Sequence, residues 1–323
     1  DLRAAPFLLG NYCGKVEVFC LTLLVRSLVL QLGAMPQTIV QVSDTHLCEI
    51  FPYFADNWQH FAKEMEALKP DLLIHTGDIS LSGTMDDQAM RHIRNEIDRL
   101  PVQCLAIPGN HDIGTTGGPL KPISEERIGH WQTHFGEDRF AFDIEDWRLI
   151  GLNTEILGSG LPSEDLQWVH LETACANAGG REIGIFLHRP LFEKTPDEPS
   201  SRWSLIAEPR ARLIERLRAH KVRFVASGHL HRYRYISLEG IDLVWCPTTA
   251  FVTASTKNDG CIRRVGYLKW TFEGRHVRHE FIEPDGFTNH DMSWREKRAA
   301  KRAAIAAGQL AADQPPHQGV LAK

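Results

Sequence analysis

Five short clusters hold most of the side chains in this chain that could do chemistry together: Asp44-Thr45-His46, Gly77-Asp78, Gly109-Asn110-His111-Asp112, His188 and Gly228-His229-Leu230-His231. They supply carboxylates, imidazoles and one amide oxygen, with no thiolate, a donor set that suits Mn, Fe, Zn or similar divalent ions. Asp44 and His46 are one residue apart, as are His229 and His231, so in extended backbone each pair would point to one side. Two metals about 3.5–4 Å apart need a bridging ligand, and Asp78 at a central strand end is the natural carboxylate for it. In the third cluster Asn110 offers a neutral oxygen, His111 a nitrogen that titrates near neutral pH, and Asp112 a carboxylate able to orient an imidazole.

Each cluster taken singly has an ordinary structural reading. Asn, Gly and Asp are common turn residues, Asp44 could cap a turn, and His75 or His188 could be a satisfied core histidine. What argues otherwise is their placement, because the clusters follow five apolar runs in turn, at residues 39–42, 72–75, 102–107, 183–187 and 222–226. Open α/β sheets build their sites at the carboxyl ends of strands. By contrast His60, His92, His130, His134, His170 and His220 lack that context and read as surface or helix histidines.

The elements that must position these clusters can be read in order. A strand at 38–42, a helix over 56–68 with Phe61, Met65 and Leu68 at helical spacing, a strand at 72–75, a helix around 86–100 and the strand ending at Ile107 form a βαβαβ series. That series predicts a largely parallel sheet with right-handed crossovers. Residues 113–122, rich in Gly, Thr and Pro, and residues 193–203, with two prolines, are loops beside the site. Between them lie a hairpin at 140–143 and 147–152 and a helix at 163–176 with Ser163 as N-cap, and an Arg-rich amphipathic helix follows at 209–220. After His231 come strands at 233–238, 241–245, 265–272 and 276–282 without long helices, which predicts a second sheet packed face to face on the first.

The chain's 323 residues, 43% of them apolar, can build a core for one large or two small domains. A net charge of -5 argues against a dedicated nucleic-acid binder, although bound cations could still supply local positive charge for a phosphate substrate. The seven cysteines form no C-x-x-C pair and read as reduced, mostly buried thiols of a cytoplasmic protein. Residues 1–34 differ from the rest; their apolar run at 18–30 is interrupted by Arg26 and is shorter than the ~20 residues of a membrane span. A cleaved signal and a peripheral anchor are alternatives to the preferred reading, an extension dispensable for the fold. Insolubility or inactivity of a chain starting at Met35 would sink that reading. The main domain is expected at 35–290, and residues 291–323 as a tail that starts helical and ends disordered.

As an ordered set, Asp44-x-His46, Gly77-Asp78 with Gly83 following, Gly109-Asn110-His111-Asp112, His188 and Gly228-His229-x-His231 resemble the motifs of the calcineurin-like metallophosphoesterases. The resemblance covers about residues 37–231, and the short spacing without a large cap insertion is most similar to the bacterial class III cyclic nucleotide phosphodiesterases. It implies an α/β fold, a four-layer αββα sandwich of two mixed β-sheets flanked by helices. It implies two divalent metals of the Mn, Fe or Zn class, one held by Asp44, His46, Asp78 and His231, the other by Asp78, Asn110, His188 and His229. A water bridging such cations has its pKa lowered from 15.7 toward about 7, and the resulting hydroxide attacks phosphorus in line. On this reading His111 sits over the substrate to stabilise charge or protonate the leaving oxygen, and Asp112 orients His111.

The implied substrate is a small phosphorylated molecule, a nucleotide such as 3′,5′-cyclic AMP, with no stable nucleic-acid partner and an oligomeric state left open, a dimer included. Many relatives carry a second histidine after the residue equivalent to His188; here Arg189-Pro190 follows, and Arg189 either holds a phosphate oxygen or, as preferred, is a surface ion-pair partner. Competing readings are a phosphatase of monoesters or nucleotides, a nuclease, and a non-enzymatic binding module such as the retromer subunit with this fold. The last predicts lost ligands or a replaced His111, and neither is seen.

Overall fold

A computed structural model of the chain describes residues 36–81, 85–118, 121–253 and 259–306. The extension at 1–34, Cys13, Cys20, Gly83 and the tail beyond Ala306 lie outside the described residues. In strand β1 (Gln37–Val42), Ile39 packs into one apolar layer while Val40 and Val42 pack into another, because successive strand side chains face opposite sides of the sheet. β2 (Leu72–His75) and β3 (Cys104–Ala106) extend the sheet in parallel, with Ile39 opposite Leu72 and Leu73 opposite Cys104. Helices α1 (Ala55–Leu68) and α2 (Asp87–Asp98) make the two crossovers; Asp86 caps α2 by accepting the N–H groups of Gln88 and Ala89.

The chain continues through the short helix α3 (Asn110–Ile113), α4 (Glu125–Phe135), the antiparallel pair β4 (Phe140–Ile144) and β5 (Trp147–Leu152), and α5 (Pro162–Ala176). Then follow β6 (Glu182–Leu187), α6 (Ala207–Ala219), β7 (Phe224–Ser227), β8 (Arg234–Leu238), β9 (Ile241–Trp245), β10 (Tyr267–Glu273), β11 (His276–Ile282) and α7 (Trp294–Ala306). The five-stranded sheet has the order β11-β10-β1-β2-β3 and the six-stranded sheet β4-β5-β6-β7-β9-β8. Both are mixed: β1 to β3 and β5-β6-β7-β9 run parallel, whereas β10, β11, β4 and β8 pair antiparallel.

Three apolar layers hold the sandwich together. Ile39, Ile74, Trp147, Phe186, Phe224 and Trp270 fill the space between the sheets, with Phe224 and Trp270 stacked at 4.6 Å. Burying a side chain of this kind contributes roughly 1.5–3 kcal/mol. On the outer face of the first sheet Phe61 and Met65 of α1, Ile93 of α2 and Trp131 of α4 cover Val40 and Leu73. On the outer face of the second, Trp168 and Leu171 of α5 and Leu213 of α6 cover Ile185 and Val225. The layers are therefore α, β, β, α, as the resemblance implies.

Two sequence expectations are corrected. The strands after His231 do not make the second sheet by themselves. β8 and β9 join β4 to β7, whereas β10 crosses back to close the free edge of β1, with Thr38 opposite Thr271. The helix expected to start from a Ser163 cap begins at Pro162, with Leu161 at the cap position. Proline lacks an N–H that would be unsatisfied in the first turn anyway, and the Ser163 hydroxyl instead donates to Glu125 Oε2 at 2.5 Å.

Candidate metal centre

β1 and β2 end at Val42 and His75, but their pairing continues through the loops that follow, where the N–H of Asp44 donates to Gly77 O and that of His46 to Asp78 O, both at 3.0 Å. The loops bend sharply. Asp44, His46, Asp78, His229 and His231 all have positive φ, between 46° and 69°. Their common direction thus comes from left-handed turns and not from extended backbone, which corrects the sequence expectation. Such residues are uncommon outside glycine, cost of order 1–3 kcal/mol each and persist only where the surroundings over-determine them. Two glycines permit the close approach: a Cβ on Gly109 would overlap Asp78, and one on Gly228 would overlap Ser43 and crowd Asp44 Oδ2 at 2.8 Å.

Two groups of donors result. The ligand-capable atoms of Asp44, His46 and His231 lie within 4.8 Å of one another, and so do those of Asp78, His188 and His229. In the first, His231 Nε2 is 3.2 Å from Asp44 Oδ1 and 3.1 Å from His46 Nε2. In the second, His188 Nε2 is 3.4 Å from Asp78 Oδ1 and 3.3 Å from Asn110 Oδ1. Asp78 faces both, with Oδ2 4.0 Å from His46 Nε2. Asp44 Oδ1 and His46 Nδ1 are buried atoms without a hydrogen-bond partner, a state buried polar atoms rarely keep. Orphaned oxygen and nitrogen atoms beside a gathering of carboxylates and imidazoles fit a divalent cation.

Backbone carbonyls fix the rings. His188 Nδ1 donates to Thr76 O at 2.8 Å and His231 Nδ1 to Phe251 O at 2.6 Å, which directs both ε-nitrogens inward. His229 differs, since its Nε2 donates to Arg202 O at 2.9 Å and leaves Nδ1 for a metal. Burial and the neighbouring His111 hold His46 well below the ordinary imidazole value, and burial and Arg189 do the same for His229. Burial opposes ionisation of Asp44 and Asp78, yet His231 beside the one and His188 beside the other hold both carboxyls below the usual range. Neutral imidazoles and ionised carboxylates are the forms that ligate metals. His188 is the exception: burial works against its charge, but the Asp78 carboxylate pushes it up to about 10.

His75 is a satisfied core histidine, with Nε2 3.0 Å from Thr45 Oγ1 and Nδ1 accepting from the Gly77 N–H, and burial lowers it to about 3. His111 comes close to His46 and Asp78, and its Nδ1 donates to Leu81 O at 2.7 Å. The expected orientation of His111 by Asp112 is therefore corrected. Asp112 accepts the N–H groups of Ile79, Ser80 and Gly109 at 2.9–3.2 Å and ties the third cluster to the second. It is buried, and burial and the Asp78 charge push it up to about 7 against the pull of those donors.

Arg189 is also corrected, since it is buried and not a surface residue. Its Nε donates to Oε1 of Glu155 at 3.0 Å, and Glu155 is fully buried. Nothing local in the sequence marks that pair, and Glu155 was missed. Arg189 lines a cavity of about 890 Å³ together with His46, Asp78, Asn110, His111, His229 and His231. Both expected loops contribute to its wall, through Thr115 to Gly118 on one side and Ser200 to Trp203 on the other, and Phe251, Trp294 and Arg295 add a wall the sequence did not announce. Trp203 is 39% exposed there, with the Arg202 guanidinium 4.3 Å from its ring.

Among curated proteins, the chain is 28% identical over 187 residues to the serine/threonine-protein phosphatase CPPED1 of Danio rerio, covering 54% of this chain and 59% of that protein. It thus spans less than two thirds of that relative's length. It is 27% identical over 270 residues to a probable glycerophosphodiester phosphodiesterase, GpdQ, of Arcobacter nitrofigilis, covering 78% of this chain and 91% of the relative. It is 25% identical over 233 residues to the 3′,5′-cyclic adenosine monophosphate phosphodiesterase CpdA of Escherichia coli, covering 65% and 75%. The sequence model of the calcineurin-like phosphoesterases matches residues 37–233, which contain both donor groups. With the two-sheet fold and that match over more than half of its length, the chain belongs to the calcineurin-like phosphoesterase family.

Proposed function

We propose that this protein is a dinuclear metal-dependent phosphodiesterase acting on a small phosphodiester, with a 3′,5′-cyclic nucleotide such as cyclic AMP as its substrate. The observation that carries the reading is Asp78, which turns Oδ1 toward His188 and Oδ2 toward His46 and so stands between two donor groups. Asp44, His46, Asp78 and His231 would hold one ion and Asp78, Asn110, His188 and His229 the other, from the Mn, Fe or Zn class. Bound there, the ions supply an activated water and charge stabilisation at phosphorus.

The remaining work falls to protein groups. His111, with its Nδ1–H committed to Leu81 O, turns Nε2 to the substrate, and in the imidazolium form, where both nitrogens carry protons, Nε2–H would protonate the leaving oxygen and leave the neutral ring. The Arg189 Nη groups have no hydrogen-bond partner among the described residues and line the cavity, so they are placed to hold a phosphoryl oxygen while Glu155 fixes Nε. Glu155 also offsets the arginine's charge, which favours a monoanionic diester over a dianionic monoester. Trp203 offers a face for a base. The five described cysteines are free, in keeping with a cytoplasmic setting, and no helix among the described residues is long and apolar enough to cross a membrane.

Hydrolysis by the Mn-loaded protein of 3′,5′-cyclic AMP, an aryl phosphodiester and an aryl phosphomonoester, compared by kcat/KM, tests the reading. Preference for the cyclic nucleotide supports it; activity on the aryl diester alone keeps the chemistry and removes the substrate. Preference for the monoester favours a phosphatase, the activity in the zebrafish relative's name, and no turnover favours a binding module.

A further inference from the structure

Away from the cavity, α2 and α4 bring together a third group of donors. His130 and His134 stand four residues apart on α4, on one helix face, with ring centroids 5.0 Å apart. Their ε-nitrogens lie 3.0 and 2.9 Å from the same atom, Oδ1 of Asp87, the first residue of α2. The three atoms are within 4.8 Å of one another, and none of the three residues lines the cavity.

We infer that Asp87, His130 and His134 form a separate site for one divalent transition ion of the zinc class. Two imidazoles at i and i+4 on a helix form a natural chelate for such an ion, and a carboxylate oxygen from a second element completes a three-donor set. The nitrogen donors select Zn, Co, Ni or Cu over Mg and Ca, which prefer all-oxygen shells. The histidine side chains are 13% and 8% exposed and that of Asp87 is 62% exposed, so the imidazoles are held while the carboxylate side stays open for a water in the fourth position.

The neighbouring cation does not occupy the converging oxygen, since Arg91 approaches the other one, Oδ2, at 3.9 Å. The donors are held from below, because Met90, Ile93 and Ile97 anchor α2 and Ile128 and Trp131 anchor α4 in the same apolar layer. A bound ion would pin the start of α2 to the end of α4.

The test is the zinc content of the full chain, stripped with a chelator, dialysed against excess Zn(II) and measured by elemental analysis. His134→Gln and His130→Gln should each hold one equivalent less than wild type, with melting by circular dichroism unchanged when the proteins are compared metal-free. The same difference should appear when His134→Gln is added to Asp78→Asn, so the outcome does not depend on the main centre. Equal zinc content in wild type and in both glutamine variants overturns the inference. If His134→Gln disturbs the fold, Asp87→Asn gives the same readout.

Discussion

The ε-nitrogens of His46 and His231 lie 3.1 Å apart, although 185 residues separate them in the chain. The Phe251 carbonyl accepts a hydrogen bond from the Nδ1–H of His231, and buried Asp44 Oδ1 stands 3.2 Å from the ε-nitrogen of His231. Removing one of three groups gathered this closely leaves the other two without the centre they surround. His231→Ala and Asp44→Ala should therefore lose metal by elemental analysis and lose turnover with it. Full metal content in either variant would remove this group from the centre.

Asp78 and Asn110 should behave differently from each other. Asp78 turns one oxygen to each donor group, whereas Asn110 reaches only His188. Asp78→Ala should lower occupancy of both metal positions and Asn110→Ala mainly one. Activity should fall in both, and equal metal losses would contradict the division.

His111→Ala should keep its metals and lose about 10²–10⁴ in kcat, the usual contribution of a general acid. Metal content and kcat measured on the same preparation separate this from a ligand's behaviour. A fully active variant would take His111 out of the mechanism.

Asp112 holds a loop and not an imidazole, since its carboxylate accepts three backbone N–H groups. Asp112→Asn puts an NH₂ where acceptors are needed and should destabilise the fold by about 1–3 kcal/mol, read as a lower denaturation midpoint. The shape of the pH-rate profile should be kept. A shifted limb in that profile would return Asp112 to the role of orienting His111.

Arg189→Ala should raise KM for a diester and lower kcat/KM by about 10–100-fold, from the ~1.5–3 kcal/mol of hydrogen bonds to a charged group. Glu155→Gln should reproduce part of the effect with metals intact. Unchanged KM in both variants would leave Arg189 as an internal ion pair with Glu155 and nothing more.

What could be read beforehand was local. The apolar runs ending in Asp, Asn and His located the strands, and hydrophobic spacing located α1 through Phe61 and Met65. What escaped depends on distant backbone. The carbonyls of Thr76, Phe251 and Leu81 that orient His188, His231 and His111 have no sequence signature, since every residue has a carbonyl. The left-handed turns at Asp44, His46 and His231 were missed because positive φ is uncommon outside glycine, even for Asp and His, which adopt it more often than most residues. The return of β10 to β1 was missed because its pairing joins Thr38 to Thr271, and adjacency in sequence favoured β8 and β9 as its neighbours.

That return also sets an order of events during synthesis. Of the described strands β1 leaves the ribosome first, and its partner on one side, β10, emerges only after the last of the seven proposed ligands. Until then a buried apolar strand waits with a bare edge, the kind of surface that recruits strands from other chains. A nascent chain arrested shortly after Tyr233 would carry all seven donors and still lack the strand that closes the sheet beneath them. Translation would have to run past Glu273, well beyond the last donor, before the centre had a finished floor.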